Sequence, residues 1–121
     1  MIEIRNFTKT KINKKLLVKL LDVERLTLTK KKLSFPGLSV VFVGPKQAQA
    51  FNKKYRKKTY IPNVLSFDYG EIVLCPAKIR HDAKKYGILF EQELVRVFTH
   101  GLLHVGGYSH KEIANKFKDF A

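Results

Sequence analysis

The chain has 121 residues, 45% of them hydrophobic, which suits one modest folded core and excludes a disordered chain. It carries 24 Lys and Arg against 10 Asp and Glu, a net charge of +14, and so favours polyanionic partners. A single cysteine, Cys75, excludes an internal disulfide, "MIEIRNFTKTK" lacks the apolar stretch of a signal peptide, and no apolar run is long enough to span a bilayer, so a cytoplasmic protein with no membrane partner is expected.

In chain order, "MIEIRNFT" alternates apolar and polar residues and reads as a strand. Asn13 suits the cap of an amphipathic helix through "KKLLVKLLDVERL", which fades in "LTLTKKKL". The run Lys30, Lys31, Lys32 reads as a solvated helix end or loop. Leu38 to Val43, β-branched and bounded by Pro and Gly, reads as a buried strand, and "KQAQAFNKKYRKK" as a helix. Pro62 holds "TYIPN" as a loop, because the residue before proline is driven out of helical geometry.

"VLSFDY" and "EIVLC" read as two strands around Gly70, with Cys75 a small core residue. "PAKIRHDAKKYG" is a helix with proline at its start and Gly87 at its stop, and its His81 reads as exposed. "FEQELVRVFTHGLLHV" is the last long helix and ends at Gly106 and Gly107; "KEIANKFKDFA" beyond it reads as a brief tail. The order predicts an α+β fold of one domain, residues 1–121, with sheet and helices as one pair of layers.

Three of the four histidines fall in "HGLLHVGGYSH", residues 100–110. On a helix His100 and His104 lie one turn apart and about 40° apart in azimuth, so both rings can face one ion. Glycine adopts positive φ at little steric cost, so Gly106 and Gly107 can end the helix and bring His110 back to the same point. Three imidazoles with an open fourth position form a catalytic rather than a structural zinc arrangement. Histidine at the first, fifth and eleventh positions with glycine at the eighth matches the long zincin signature. Gly101, however, stands where a metallopeptidase places its general-base glutamate, which disfavours peptide hydrolysis.

"HGLLHVGGYSH" resembles the metal-binding motif H-G-x-L-H-x-x-G-[YF]-D-H of the YbeY family of rRNA maturation factors and endoribonucleases. "FNKKYRKKTYIPNVLSF" resembles that family's "LNxxYRxxxxPTDVLSF", and "GEIVL" its "GDIxI" strand, in the same order over residues 40 to 110. The resemblance implies a zincin-like domain, a mixed sheet packed with helices, and a metal site at the end of the last long helix. It implies one zinc ion, with nickel or another divalent metal as substitutes, on His100, His104 and His110.

It further implies a single-strand-specific endoribonuclease acting in rRNA processing, at the 3′ end of 16S rRNA, and in ribosome quality control. The partners would be single-stranded rRNA and the small ribosomal subunit, with no DNA. Arg56 falls on the family's phosphate-facing arginine and Ser66 on the serine beside the site; both are candidate catalytic residues. Arg56, Arg96 and Tyr55 are the candidate RNA contacts. Tyr60 and Tyr69 also interleave with cations in a way that suits stacking on bases.

The chain departs from the family pattern at Ser109 and Asn63, each in place of an Asp, and at Pro62 in place of a Thr. Glu93, Asp68 and Glu71 are the remaining acidic candidates for orienting a ligand or taking a proton, against ordinary helix or strand charges. The alternative is a non-catalytic RNA-binding assembly factor with a structural metal, to which the charge lends equal support.

Overall fold

The computed structural model describes residues 2–18 and 37–116. Four strands form one sheet: β1 (Ile2–Asn6), β2 (Leu38–Phe42), β3 (Val64–Phe67) and β4 (Glu71–Leu74), in the spatial order β1-β2-β4-β3. The first three positions are parallel, and β3 pairs antiparallel with β4 on the outer edge. Val43 lies one residue past β2, although its N–H still bonds the Leu74 carbonyl at 2.9 Å.

The helices follow their punctuation. Residues 14–18 are the described part of α1, and Asn13 Oδ1 accepts from the Leu16 N–H, as a cap should. The rest of the predicted first helix and the run Lys30 to Lys32 lie outside the described residues. Helix α2 (Pro45–Arg56) starts on proline and closes on Lys57, a non-glycine residue at φ 57°. Helix α3 (Pro76–Tyr86) starts on proline and closes on Gly87 at φ 67°. Helix α4 (Phe90–Val105) opens with the Leu89 N–H on Gln92 Oε1 at 2.8 Å. The predicted tail instead begins with a further helix, α5 (His110–Lys116).

Strand alternation sorts the core into two clusters. Val40, Phe42, Ile72 and Leu74 point to one face and pack with Leu17, Ile79, Leu94, Phe98 and Leu102 of α1, α3 and α4. Val41, Val43, Leu65, Val73 and Cys75 point to the other and pack with Ala48 and Phe51 of α2. Helices therefore cover both faces, where the sequence suggested one pair of layers. Each fully buried Phe or Leu side chain contributes roughly 1.5–3 kcal/mol, so the larger cluster holds α4 firmly on its sheet.

The register runs Ile4, Val40, Ile72, Ser66 across all four strands. A hydroxyl thus ends an otherwise aliphatic row, on the edge strand beneath α4. Gly101 of α4 lies directly over it. A Cβ there would come within 3.0 Å of Ser66 Oγ, 3.2 Å of Val64 Cγ2 and 3.3 Å of Ile72 Cγ2. At the position where a peptidase carries glutamate, a side chain would here require these neighbouring side chains to give by a few tenths of an ångström.

Candidate metal centre

Helix α4 carries His100 and His104 one turn apart, with their Nε2 atoms 2.9 Å from each other. The helix ends at Gly106, and Gly107 at φ 93° turns the chain back. The N–H groups of Gly106, Gly107 and Tyr108 bond the carbonyls of Leu102, His104 and Leu103 at 2.9, 2.9 and 3.0 Å, which satisfies the last turn. Tyr108 is buried, and His110 opens α5 with its ring centroid 4.3 Å from that of His104 and 5.6 Å from that of His100. One nitrogen from each of the three rings lies within 4.8 Å of the others.

These side chains fit a divalent metal. Metal–nitrogen bonds of 2.0–2.1 Å in a tetrahedral site put ligand nitrogens about 3.3 Å apart, inside the observed range of 2.9 to 4.8 Å. The Tyr108 carbonyl can only accept, so at 3.0 Å it assigns the proton of His104 to Nδ1. Nε2 of His104 is then a lone-pair donor aimed at the other two rings. Burial, the neighbouring His100 and His110, and the Arg56 cation lower the pKa of His104 to about 4. The ring is neutral at pH 7, as a ligand must be.

A cleft of about 190 Å³ brings the trio together with Arg56, Arg96, Ser66 and Asn63. Arg56 arrives from the end of α2 on the far side of the edge strand, and Arg96 from α4 one turn before His100. Tyr55 lies outside this cleft and lines an adjoining one of about 480 Å³, shared with Arg56, Ser66, His104 and His110. Tyr60 lines the first cleft.

The acidic candidates separate by position. Glu93 is completely buried and reaches no histidine ring; it accepts from Arg96 Nε at 2.6 Å and from a terminal guanidinium nitrogen at 2.9 Å. Its carboxylate raises the Arg96 pKa further and fixes the fork of the guanidinium at the cleft wall. Glu71 accepts from the Tyr69 hydroxyl at 3.1 Å, and Asp68 is exposed on the second cleft. Asn63, where the family pattern has Asp, donates to Asp82 at 3.3 Å. His81 is exposed and outside the cluster.

Two contributors escaped the sequence reading. The Tyr108 carbonyl orients His104, and only the double-glycine turn hinted at it. Ser109 caps α5: its Oγ accepts from the Glu112 N–H at 3.2 Å, and Glu112 Oε1 accepts from the Ser109 N–H at 3.1 Å. That reciprocal pair is written in the sequence as "SHKE", a Ser-x-x-Glu capping box. The residue replacing the family's Asp thus anchors the element that carries His110.

A family model described as "Endoribonuclease YbeY" matches residues 2–119. The chain is similar to the Endoribonuclease YbeY of Bdellovibrio bacteriovorus, 36% identical over 96 residues, covering 74% of this chain and 64% of that protein. It is similar to that of Thermodesulfovibrio yellowstonii, 38% identical over 101 residues with the same coverage, and to that of Ureaplasma urealyticum, 43% identical over 82 residues, covering 60% of this chain and 53% of the relative. The chain therefore spans between about half and a little under two thirds of the length of these curated relatives. The solution structure of TM1509 from Thermotoga maritima aligns with a TM-score of 0.65 at 28% identity, over 99% of this chain and 84% of that one.

Proposed function

The chain belongs to the Endoribonuclease YbeY family, and we propose that it is a metal-dependent endoribonuclease acting on single-stranded RNA, with zinc on His100, His104 and His110. The observation that carries this reading is the convergence of three imidazole nitrogens within 4.8 Å in a cleft also lined by two guanidinium side chains. The resemblance of "HGLLHVGGYSH" to the family motif extends it to ribosomal RNA in the cytoplasm, the 3′ end of 16S rRNA, and quality control of the small subunit. Among the described residues no helix is long and apolar enough to cross a membrane.

His100, His104 and His110 would hold a divalent ion, which when bound would supply Lewis acidity toward a phosphoryl oxygen and an activated water near neutral pH. The chain's own residues do the rest. Arg56 presents a planar fork to the non-bridging oxygens of the scissile phosphate. Arg96, held by buried Glu93, faces the same cleft and offsets the charge that develops in the transition state. Ser66, at the sheet edge under Gly101, lines the same cleft, and its hydroxyl would bond the ribose or the phosphate.

Labelled single-stranded RNA incubated with the chain, with and without chelator and beside His104→Ala, tests the reading. Scission that needs both the metal and His104 supports it; binding without scission in any arm overturns it. One observation favours the second reading, an RNA-binding assembly factor with a structural metal: among the described residues no carboxylate lines the cleft that holds all three histidines, and Asp68 lines only the adjoining one. That reading predicts the binding-only result, with metal raising stability alone.

A further inference from the structure

The rings of Tyr55, Phe67 and Tyr69 form a row over the exposed edge of the sheet. Tyr55 comes from the last turn of α2, Phe67 from the end of β3 and Tyr69 from the turn after it. The Tyr55 and Phe67 centroids are 5.4 Å apart, edge to face at 78°. Those of Phe67 and Tyr69 are 5.5 Å apart and nearly parallel at 22°. Tyr55 is 54% exposed and Tyr69 63% exposed. Two large aromatic side chains this open, lined up through a third, use their area poorly as core.

Three features indicate the occupant. The row is prearranged, because the Tyr69 hydroxyl donates to Glu71 and Phe51 backs Tyr55 at 6.2 Å. The Tyr55 end is cationic, because Lys53, Lys54, Arg56, Lys57 and Lys58 flank Tyr55 on exposed positions, with Lys54 Nζ 5.2 Å from the Tyr55 ring centre, whereas Asp68 and Glu71 stand beside Tyr69. The row is also continuous with the metal site, because Tyr55 and Phe67 line the cleft of about 480 Å³ that contains His104 and His110. Aromatic faces bordered by cations complement bases on a phosphate backbone.

We propose that the Tyr55–Phe67–Tyr69 row is a base-stacking platform for unpaired nucleotides flanking the scissile phosphate. It rests on the ribonuclease reading above and gives that reading a physical source of strand selectivity. A base in a duplex has both faces occupied and has none to offer Tyr55 or Tyr69. A single strand has free faces and is drawn along the edge strand into the cleft.

The test compares two short ligands of equal charge, a fluorescent oligouridylate and an abasic ribose-phosphate strand of the same length, bound to the full chain in chelator. Phosphate contacts cancel between them, so the affinity ratio reads base stacking alone. The wild-type chain should prefer the base-bearing strand by about tenfold, and Tyr55→Leu and Tyr69→Leu should each erase most of that preference. Tyr69→Phe keeps the ring and should keep the preference. Equal preference in wild type and both leucine variants overturns the platform, as does a wild type with no preference. Metal-dependent cutting measured on the same variants separates the two ideas. Cutting without any base preference removes the platform and leaves the nuclease. A ring-dependent base preference without cutting removes the nuclease and leaves a single-strand RNA surface.

Discussion

Nδ1 of His104 lies 3.0 Å from the carbonyl oxygen of Tyr108, a residue four positions on that the chain reaches only by reversing through Gly107. One turn thereby orients a candidate ligand, points its Nε2 into the cleft and delivers His110. Ligand orientation by a carbonyl is a common way of fixing the imidazole tautomer in metal sites.

Gly107→Ala should therefore damage metal binding as well as folding. Alanine at φ 93° is strained by about 1 kcal/mol or more, and relaxation of that strain moves both the Tyr108 carbonyl and His110. Zinc at about a hundred times its dissociation constant should stabilise the wild-type chain by about 2.7 kcal/mol. Denaturant unfolding with and without zinc should show a clearly smaller increment for Gly107→Ala and almost none for His104→Ala. An unreduced increment in either variant speaks against the three-histidine site.

Gly101→Ala pits two effects against each other. Alanine in a helix interior is favoured over glycine by about 1 kcal/mol. Here the added methyl meets Ser66 Oγ at 3.0 Å and two aliphatic methyls little farther away, and overpacking of this kind costs about 1–3 kcal/mol. The clash should win, with a net loss near 1 kcal/mol. Combining it with Ser66→Gly should recover part of the loss through a positive coupling in a double-mutant cycle. A Gly101→Ala chain more stable than wild type would show that the helix does not sit this close to the edge strand.

Arg96 and Glu93 should separate folding from RNA binding. Arg96→Met leaves a fully buried carboxylate without its two guanidinium bonds, and should destabilise the chain by about 3 kcal/mol. Glu93→Leu with Arg96→Met replaces the pair by apolar groups and should restore most of that stability. RNA affinity should remain lowered in the double variant, because the cleft has still lost the guanidinium donors of Arg96 although the net charge is unchanged. Binding that recovers along with stability would reduce Arg96 to a structural residue.

The metal-free chain should lose stability on mild acidification. The unfolded chain protonates His104 near the ordinary 6.5, whereas the folded chain resists until about pH 4, through burial first and the neighbouring histidines second. Protons therefore bind the unfolded state preferentially in between. The His104 contribution is complete above pH 6.5 and lost as the pH falls towards 4. In chelator, the urea midpoint of the wild type should drop across that window, and His104→Gln should flatten the drop. Parallel profiles would mean that His104 is not held neutral.

Much of this architecture is local and was readable. The β-branched run from Leu38, the two strands around Gly70, the proline start at Pro76 and the stop at Gly87 rest on dihedral preferences of single residues, and the strands and helices formed there within about two residues. The short helix after His110 was also written locally, in Ser109 and Glu112, yet read as a tail because a seven-residue helix leaves little periodicity to detect.

The sequence by itself determined the donor set: histidines one helical turn apart, followed by glycines able to reverse the chain, since both are consequences of helix pitch and φ freedom within eleven residues. It equally determined the cationic character, which needs only counting. Tertiary structure alone decided which cations face the donors. Arg56 and Arg96 are 40 residues apart and meet because the edge strand lies between the end of α2 and α4, while an equally basic Lys53 does not line the histidine cleft. Helix pitch already brings Glu93 and Arg96 together, three residues apart on α4, whereas tertiary structure alone decided that Gly101 is a point of close approach to the edge strand. The meeting of Arg56 with the histidines arises from packing of α2 and α4 against opposite faces of one sheet, and no local preference in the chain encodes the distance between them.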